Sequence, residues 1–285
     1  MRLFPEAVGC LDLDVLPQRL SDLRDPPQGL FAIGHPDVLT SPCVSIVGTR
    51  DPTDYGLTVT RRIAGALARA GICIISGMAR GIDAAAHRAA LEAGGLTVAV
   101  LGTGIDVPYP ASHQELHRVI GERGLLLSEN GPGATAHKGA FPKRNRIIAA
   151  LGEFTIVVEA GLKSGALNTA AQALNIGRTV ASVPGRIDSP QSAGTNQLLR
   201  DGASVIASVE DALALAGVSV SAPSPPVQLA ASDARVWAAL SAGPLPIDAV
   251  AARSGLAARD CLTSVTSLEL LGMVECLMSG EIRRR

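Results

Sequence analysis

From residue 43 onward one pattern repeats. A short apolar run ends in glycine or a small polar residue, and a stretch with helical periodicity follows. The runs are CVSIVGT (43–49), ICIISG (72–77), LTVAVLG (96–102), LLLSEN (125–130) and FTIVVEA (154–160), with TVASVP (179–184) and SVIA (204–207) closing the series. Helices are expected over 55–70, 82–93, 112–122 and 166–176, with one more from Asn145. Runs apolar at consecutive positions suit strands buried on both faces, and strand–helix alternation then dictates a parallel sheet covered on each side. The expected class is α/β, a doubly wound and mostly parallel sheet.

The flanks differ from this repeat. Residues 1–42 are proline-rich and irregular, apart from LFAIG (30–34), which reads as a short strand laid against the main sheet. After Ala216 the Ser/Pro/Val run VSVSAPSPPVQ reads as a linker. Beyond it, helices over 233–240, 247–254 and 257–271, the second ended by Gly255, precede two short strands around Ser279-Gly280, a winged-helix-like pattern. The expected division is a tail at 1–15, an α/β domain at 16–216, a linker at 217–230 and a winged-helix-like domain at 231–285. The third helix of that last domain carries Arg259 as its one cation, which fits protein docking or weak DNA contact, and Arg283 to Arg285 read as a solvated tail.

Aromatic residues make up only 2% of the chain, so the core must be aliphatic. Cys10, Cys43, Cys73, Cys261 and Cys276 form no CxxC pair and read as reduced, buried thiols of a cytoplasmic protein. His113 and His117 lie four apart with no third ligand near them, so no metal is expected. No apolar stretch is long enough to span a membrane, and Asp, Glu and Pro interrupt the N-terminus where a signal peptide needs an apolar core.

In such a sheet the strand C-termini share one edge, where helix N-termini present unpaired amides. Small and polar residues gather at those ends: Gly48-Thr49-Arg50, the SGMARG turn at 76–81, Gly102-Thr103-Gly104 and Lys163-Ser164-Gly165. Such turns admit an anion close to the backbone. On the same edge emerges HKGAFPKRNRII (137–148), with Lys138, Lys143, Arg144 and Arg146, although the whole chain has a formal net charge of -1. Four cations with Phe141 and Asn145 beside them suit a phosphate backbone with a stacked base. Arg144 and Arg146 face different ways at a helix start, so one of them is expected to brace the loop through Glu129 or Glu159. Asn145 either touches a base or caps the helix.

These motifs resemble the DNA-processing protein A family, also called Smf. The matching pieces are SIVGTRDPTDYG (45–56), SGMARGIDAAAH (76–87), AVLGTGIDVPYP (99–110), LLSENGPG (126–133), FPKRNRIIAALG (141–152), VVEAGLKSGALNTAAQAL (157–174) and VPGRIDSPQSAGTNQLLRDGA (183–203). The resemblance implies an extended Rossmann-like fold with a winged-helix-like C-terminal domain. It implies a protein that binds and protects incoming single-stranded DNA and loads the RecA recombinase in natural transformation and recombination. Homodimerisation, no catalytic activity and no cofactor are also implied. Carried over by motif, the DNA contacts are Thr49 and Arg50; Ser76, Gly77, Met78 and Arg80; Lys138, Gly139, Phe141, Arg144, Asn145 and Arg146; and Lys163, Ser164 and Gly165. Many relatives carry an N-terminal helical domain, for which the residues before Leu16 leave no room.

Other readings fit less well. The fold also resembles nucleoside-monophosphate phosphoribohydrolases, with Glu159 where their site would be, but a PGGxGT motif is absent and one carboxylate is thin support for glycosidic hydrolysis. No GxGxxG follows the first strand, as a dinucleotide site requires. Lys163-Ser164 lacks the glycine of a Walker loop. Ser76, Asp83 and His87 suggest a hydrolase triad, but Asp83 and His87 lie one helical turn apart and are expected to bond locally.

Overall fold

The computed structural model describes residues 9–12, 17–137, 139–218, 229–277 and 280–284. Lys138, Ser279, Arg285, most of the expected linker and most of the N-terminal tail lie outside the described residues. The chain divides into two compact units, residues 1–219 and 220–285.

The first unit alternates as the repeat requires. Its strands are β1 (Gly9–Asp12), β2 (Gly29–Gly34), β3 (Cys43–Val47), β4 (Cys73–Ser76), β5 (Thr97–Leu101), β6 (Leu125–Ser128), β7 (Phe154–Val157), β8 (Thr179–Ser182) and β9 (Ser204–Val205). Its helices are α1 (Asp54–Arg69), α2 (Ile82–Glu92), α3 (Gln114–Arg123), α4 (Ala140–Leu151), α5 (Gly165–Asn175), α6 (Ala193–Arg200) and α7 (Val209–Leu215). The strands form one sheet in the order β1-β2-β6-β5-β4-β3-β7-β8-β9. From β6 to β9 every pairing is parallel, while β2 joins β6 antiparallel and β1 joins β2 antiparallel. The LFAIG segment is thus the strand next to the parallel edge.

Successive side chains on a strand point to opposite faces. Accordingly β3 sends Cys43 and Val47 into the core under α4 and α5, and Val44 and Ile46 into the core under α1, α2 and α7. Helix α1 buries Ile63, Ala64, Leu67 and Ala68 at the spacing of one helical face. Its N-cap is Thr53, whose hydroxyl accepts from the Gly56 amide at 3.2 Å. The order of the sheet reverses at β3, whose neighbours are β4 and β7. In an open α/β sheet that reversal opens a crevice beyond the strand ends.

One boundary differs from the expectation in a way that matters for the site. Helix α4 begins at Ala140, five residues before Asn145, so Phe141, Lys143 and Arg144 sit on its first turns and not in a loop. Pro142 suggests a break, but in a first turn its missing N–H has no partner to lose. The first turn also lacks an acidic residue and a side-chain cap, so it carries none of the usual start signals.

The second unit contains α8 (Ala231–Ala239), β10 (Leu245–Pro246), α9 (Ile247–Ser254), α10 (Ala258–Leu270), β11 (Val274–Cys276) and β12 (Glu281–Arg284). Its core gathers Val236, Leu240, Val250, Val265, Leu268, Val274 and Ile282. Gly255, at φ 65°, ends α9 in the left-handed region. The strand β10, absent from the sequence reading, adds a third member to the hairpin. Arg283 and Arg284 are not a solvated tail: Arg283 pairs with Glu275, and Arg284 donates to the Trp237 carbonyl and lies 4.2 Å from its ring centre. Cys276 is exposed, whereas Cys43, Cys73 and Cys261 are buried free thiols. Among the described residues no helix is long and apolar enough to cross a membrane, and no His, Cys, Asp and Glu cluster is grouped to hold a metal ion.

Candidate nucleic-acid interface

The crevice between the ends of β3 and β7 holds a cavity of about 620 Å³. Into its wall the structure brings Thr49 and Arg50 from the turn after β3, Phe141, Arg144 and Asn145 from α4, and Lys163, Ser164 and Gly165 from the turn into α5. Segments separated by more than a hundred residues therefore meet, as the shared strand edge predicts. Arg50 and Lys163 are exposed and pair with no carboxylate among the described residues. Among the described residues Asp83 is the one acidic residue in the wall.

Phe141 is half-buried at the centre. The Arg50 guanidinium carbon lies 5.5 Å from its ring centre and that of Arg144 lies 6.0 Å away, both within cation–π range. A Cβ on Gly102 would sit 2.8 Å from the Phe141 ring, so this position must be glycine for the ring to lie there. Tyr109 packs against Phe141 with ring centres 5.0 Å apart. Sequence reasoning missed Tyr109 as a site residue. The usable signal was an aromatic in a polar turn of a chain that has very few.

Arg144 is fully buried. It donates to the Gly77 carbonyl at 2.7 Å and to the Val100 carbonyl, which ties α4 to the ends of β4 and β5. A Cβ on Gly77 would lie 2.5 Å from the guanidinium, so only glycine lets the turn close over it. Burial pushes Arg144 down to about 10, with Asp83 opposing and Arg50 adding to the fall. It remains a cation at neutral pH. His87 feels the same surroundings: burial, then Arg144, pushes it down to about 3. Its Nδ1 donates to the Thr97 hydroxyl at 2.7 Å, since that hydroxyl itself donates to the Ile74 carbonyl.

Several expected contacts are internal instead. The Ser76 hydroxyl is buried and donates to the Ile46 carbonyl at 2.6 Å, bracing β4 on β3. Met78 is buried in the apolar cluster with Ile105 and Leu116, and holds a left-handed φ of 55°. The amides of Gly77 and Ala79 are already occupied, donating to one Asp83 carboxylate oxygen at 3.2 and 3.4 Å. This turn is indeed an anion seat, and the anion is the protein's own. Burial raises the Asp83 pKa, while Arg144 and the amides pull it back. Arg146 does not reach the cavity: it pairs with Glu129 at 2.6 Å, the brace expected of one of the two arginines. Asn145 is no cap, because it lies inside α4 and donates to the Gly165 carbonyl and to Asn168. Arg80 is exposed and lines a neighbouring cavity, and Gly139, at φ 93°, stands before the uncapped start of α4. Lys138 lies outside the described residues.

The alternative chemistries find no support in these contacts. Glu159 is 2% exposed, and its two oxygens accept from the Thr53 amide at 2.9 Å and hydroxyl at 2.5 Å, so it anchors the cap of α1. Ser76, Asp83 and His87 each bond elsewhere and form no relay.

The model of the DNA recombination-mediator protein A family matches residues 10–217, and that of the DprA winged helix domain matches residues 220–280. A putative DNA processing protein DprA of Mycobacterium tuberculosis is 41% identical over 260 residues, spanning 88% of this chain and 67% of the relative. Among solved structures, DprA from Streptococcus pneumoniae superposes with a TM-score of 0.71 at 41% identity, over 74% of this chain and 75% of that one. DprA from Helicobacter pylori, whose single-stranded DNA binding mode that structure describes, gives 0.70 at 32% identity, over 75% of this chain and 97% of that one. Built on a doubly wound sheet, followed in sequence by a winged-helix domain, and matched along nearly its whole length, this chain belongs to the DNA recombination-mediator protein A (DprA/Smf) family.

Proposed function

We propose that the cavity at the sheet reversal binds single-stranded DNA, and that the protein acts as a homodimer in the cytoplasm to protect incoming strands and load RecA on them during transformation and recombination. The observation that carries the DNA reading is the wall itself: exposed Arg50 and Lys163 and buried Arg144 line one cavity with the Phe141 ring, and among the described residues Asp83 is the one carboxylate there. In this reading Arg50, Lys163 and Lys138 hold phosphates, with Gly139 at the uncapped start of α4 and Thr49, Ser164 and Gly165 at the turn edges. Phe141 stacks on a base, and Arg144 supplies positive potential from beneath. Phosphate contacts position a strand without reading its sequence, and a stacked base must be unpaired. The binding of single strands by the Helicobacter pylori relative supports the same choice.

A competition experiment tests it. Labelled oligothymidine bound to the protein should be displaced by unlabelled single strands of mixed sequence and not by an equal mass of duplex. Equal displacement by duplex contradicts the reading. RecA loading is tested separately, by whether the protein accelerates RecA assembly on a strand already coated with single-strand-binding protein. Family membership supports that role and the dimer.

A further inference from the structure

A second cavity, of about 310 Å³, adjoins the first. Arg50, Phe141 and Arg144 line both, so the Phe141 ring forms a wall common to the two. Lys163 and Asn145 belong only to the first; Arg80, Tyr109 and Ser112 belong only to the second. Among the described residues no carboxylate lines the second cavity, although three arginines do. Arg144 has Asp83 beside it, but Arg50 and Arg80 pair with no carboxylate among the described residues, and an anion between those two would offset their mutual repulsion. Tyr109 is 43% exposed beside them, an unusual place for a ring in a chain with 2% aromatics.

We propose that this second cavity seats the neighbouring nucleotide of the bound strand, with Tyr109 as its base platform and Arg80 holding its phosphate. This rests on the single-strand reading above. It adds that the strand is held as two consecutive nucleotides on either side of Phe141. Every base offers a π-face, so two platforms raise affinity without creating sequence preference. The competing explanation is that Tyr109 only buttresses Phe141, since the two rings touch.

A double-mutant cycle with Tyr109→Ala and Phe141→Ala separates them, read as oligothymidine affinity, with thermal unfolding confirming that each variant folds. Each single change should weaken binding roughly 5- to 150-fold. In the Phe141→Ala background, Tyr109→Ala should still cost a comparable factor, and its effect should vanish on a strand of equal length made of abasic sites. Loss of the Tyr109 effect once Phe141 is gone would make Tyr109 a buttress and overturn the proposal. So would a Tyr109→Ala variant that binds as the wild type does, with the single-strand reading left intact. A wild-type protein that ignores oligothymidine at low salt would overturn both.

Discussion

Two pairs of cations occupy the same rim and do opposite things. Arg50 and Lys163 stand exposed at the ends of β3 and β7 with no carboxylate among the described residues. Arg144 and Arg146 lie buried on α4 and face inward, one to the Gly77 and Val100 carbonyls and the other to Glu129. Sequence places all four at one strand edge and marks only one of Arg144 and Arg146 as a brace. The difference shows that density of positive charge does not separate a cation open to solvent from one already engaged inside the fold. The two glycine turns repeat the lesson. Asp83 fills the amide seat of the turn after β4, whereas the Lys163 turn keeps its cation facing the cavity.

The comparison breaks most easily at Arg144. Arg144→Met should destabilise the fold by about 3–5 kcal/mol, because Asp83 is left buried without its neighbouring cation and two carbonyls lose their donor. Urea unfolding measures it, and a loss below about 1 kcal/mol would mean the buried pair does not stabilise the fold. The same buried region should give stability a pH dependence. The unfolded chain protonates His87 near its ordinary value of 6.5, whereas the folded protein resists until about 3. Stability at His87 is therefore fully present above about pH 6.5 and is lost as pH falls through that window, by an amount on the order of 3–5 kcal/mol. Asp83, whose pKa is raised, works in the opposite sense. Comparing His87→Gln with the wild type isolates the His87 share, and the variant's profile should be flatter.

Phe141→Ala should cost about 1–3 kcal/mol of single-strand affinity and leave the salt dependence alone. A changed salt slope would mean that the ring orders the arginines and does not itself hold a base. The smallest expected effect is on stability at the exposed pair: Arg50→Ala and Lys163→Ala should each shift unfolding by less than about 0.5 kcal/mol.

The alternation of strands and helices was legible because a two-faced buried strand leaves an unmistakable apolar run. The convergence of Arg50, Phe141 and Lys163 followed from topology alone, since parallel strands end on one edge. What escaped the sequence was long-range or locally contradictory. Pro142 and a basic first turn hid the start of α4, because local signals there argue against a helix that tertiary packing imposes. Asp83 was expected to bond to His87 one helical turn away, and nothing in its neighbours revealed that two amides of the preceding turn close on it while His87 turns to Thr97. The burial of Arg144 depends on Gly77, sixty-seven positions away. The exposed face of α10 sets Leu262 and Leu270 beside Arg259.

The central claim is that unpartnered cations at the sheet reversal hold phosphates while their buried neighbours hold the fold. The most direct measurement is oligothymidine affinity against salt for the wild type and for the Arg50→Ala/Lys163→Ala double variant, with unfolding followed in parallel. Each phosphate contact contributes a log–log slope of about −0.7 for a single strand, so the double variant should lose about 1.4 of the wild-type slope and keep its unfolding curve. An unchanged slope, or a double variant that unfolds markedly earlier, would contradict the account.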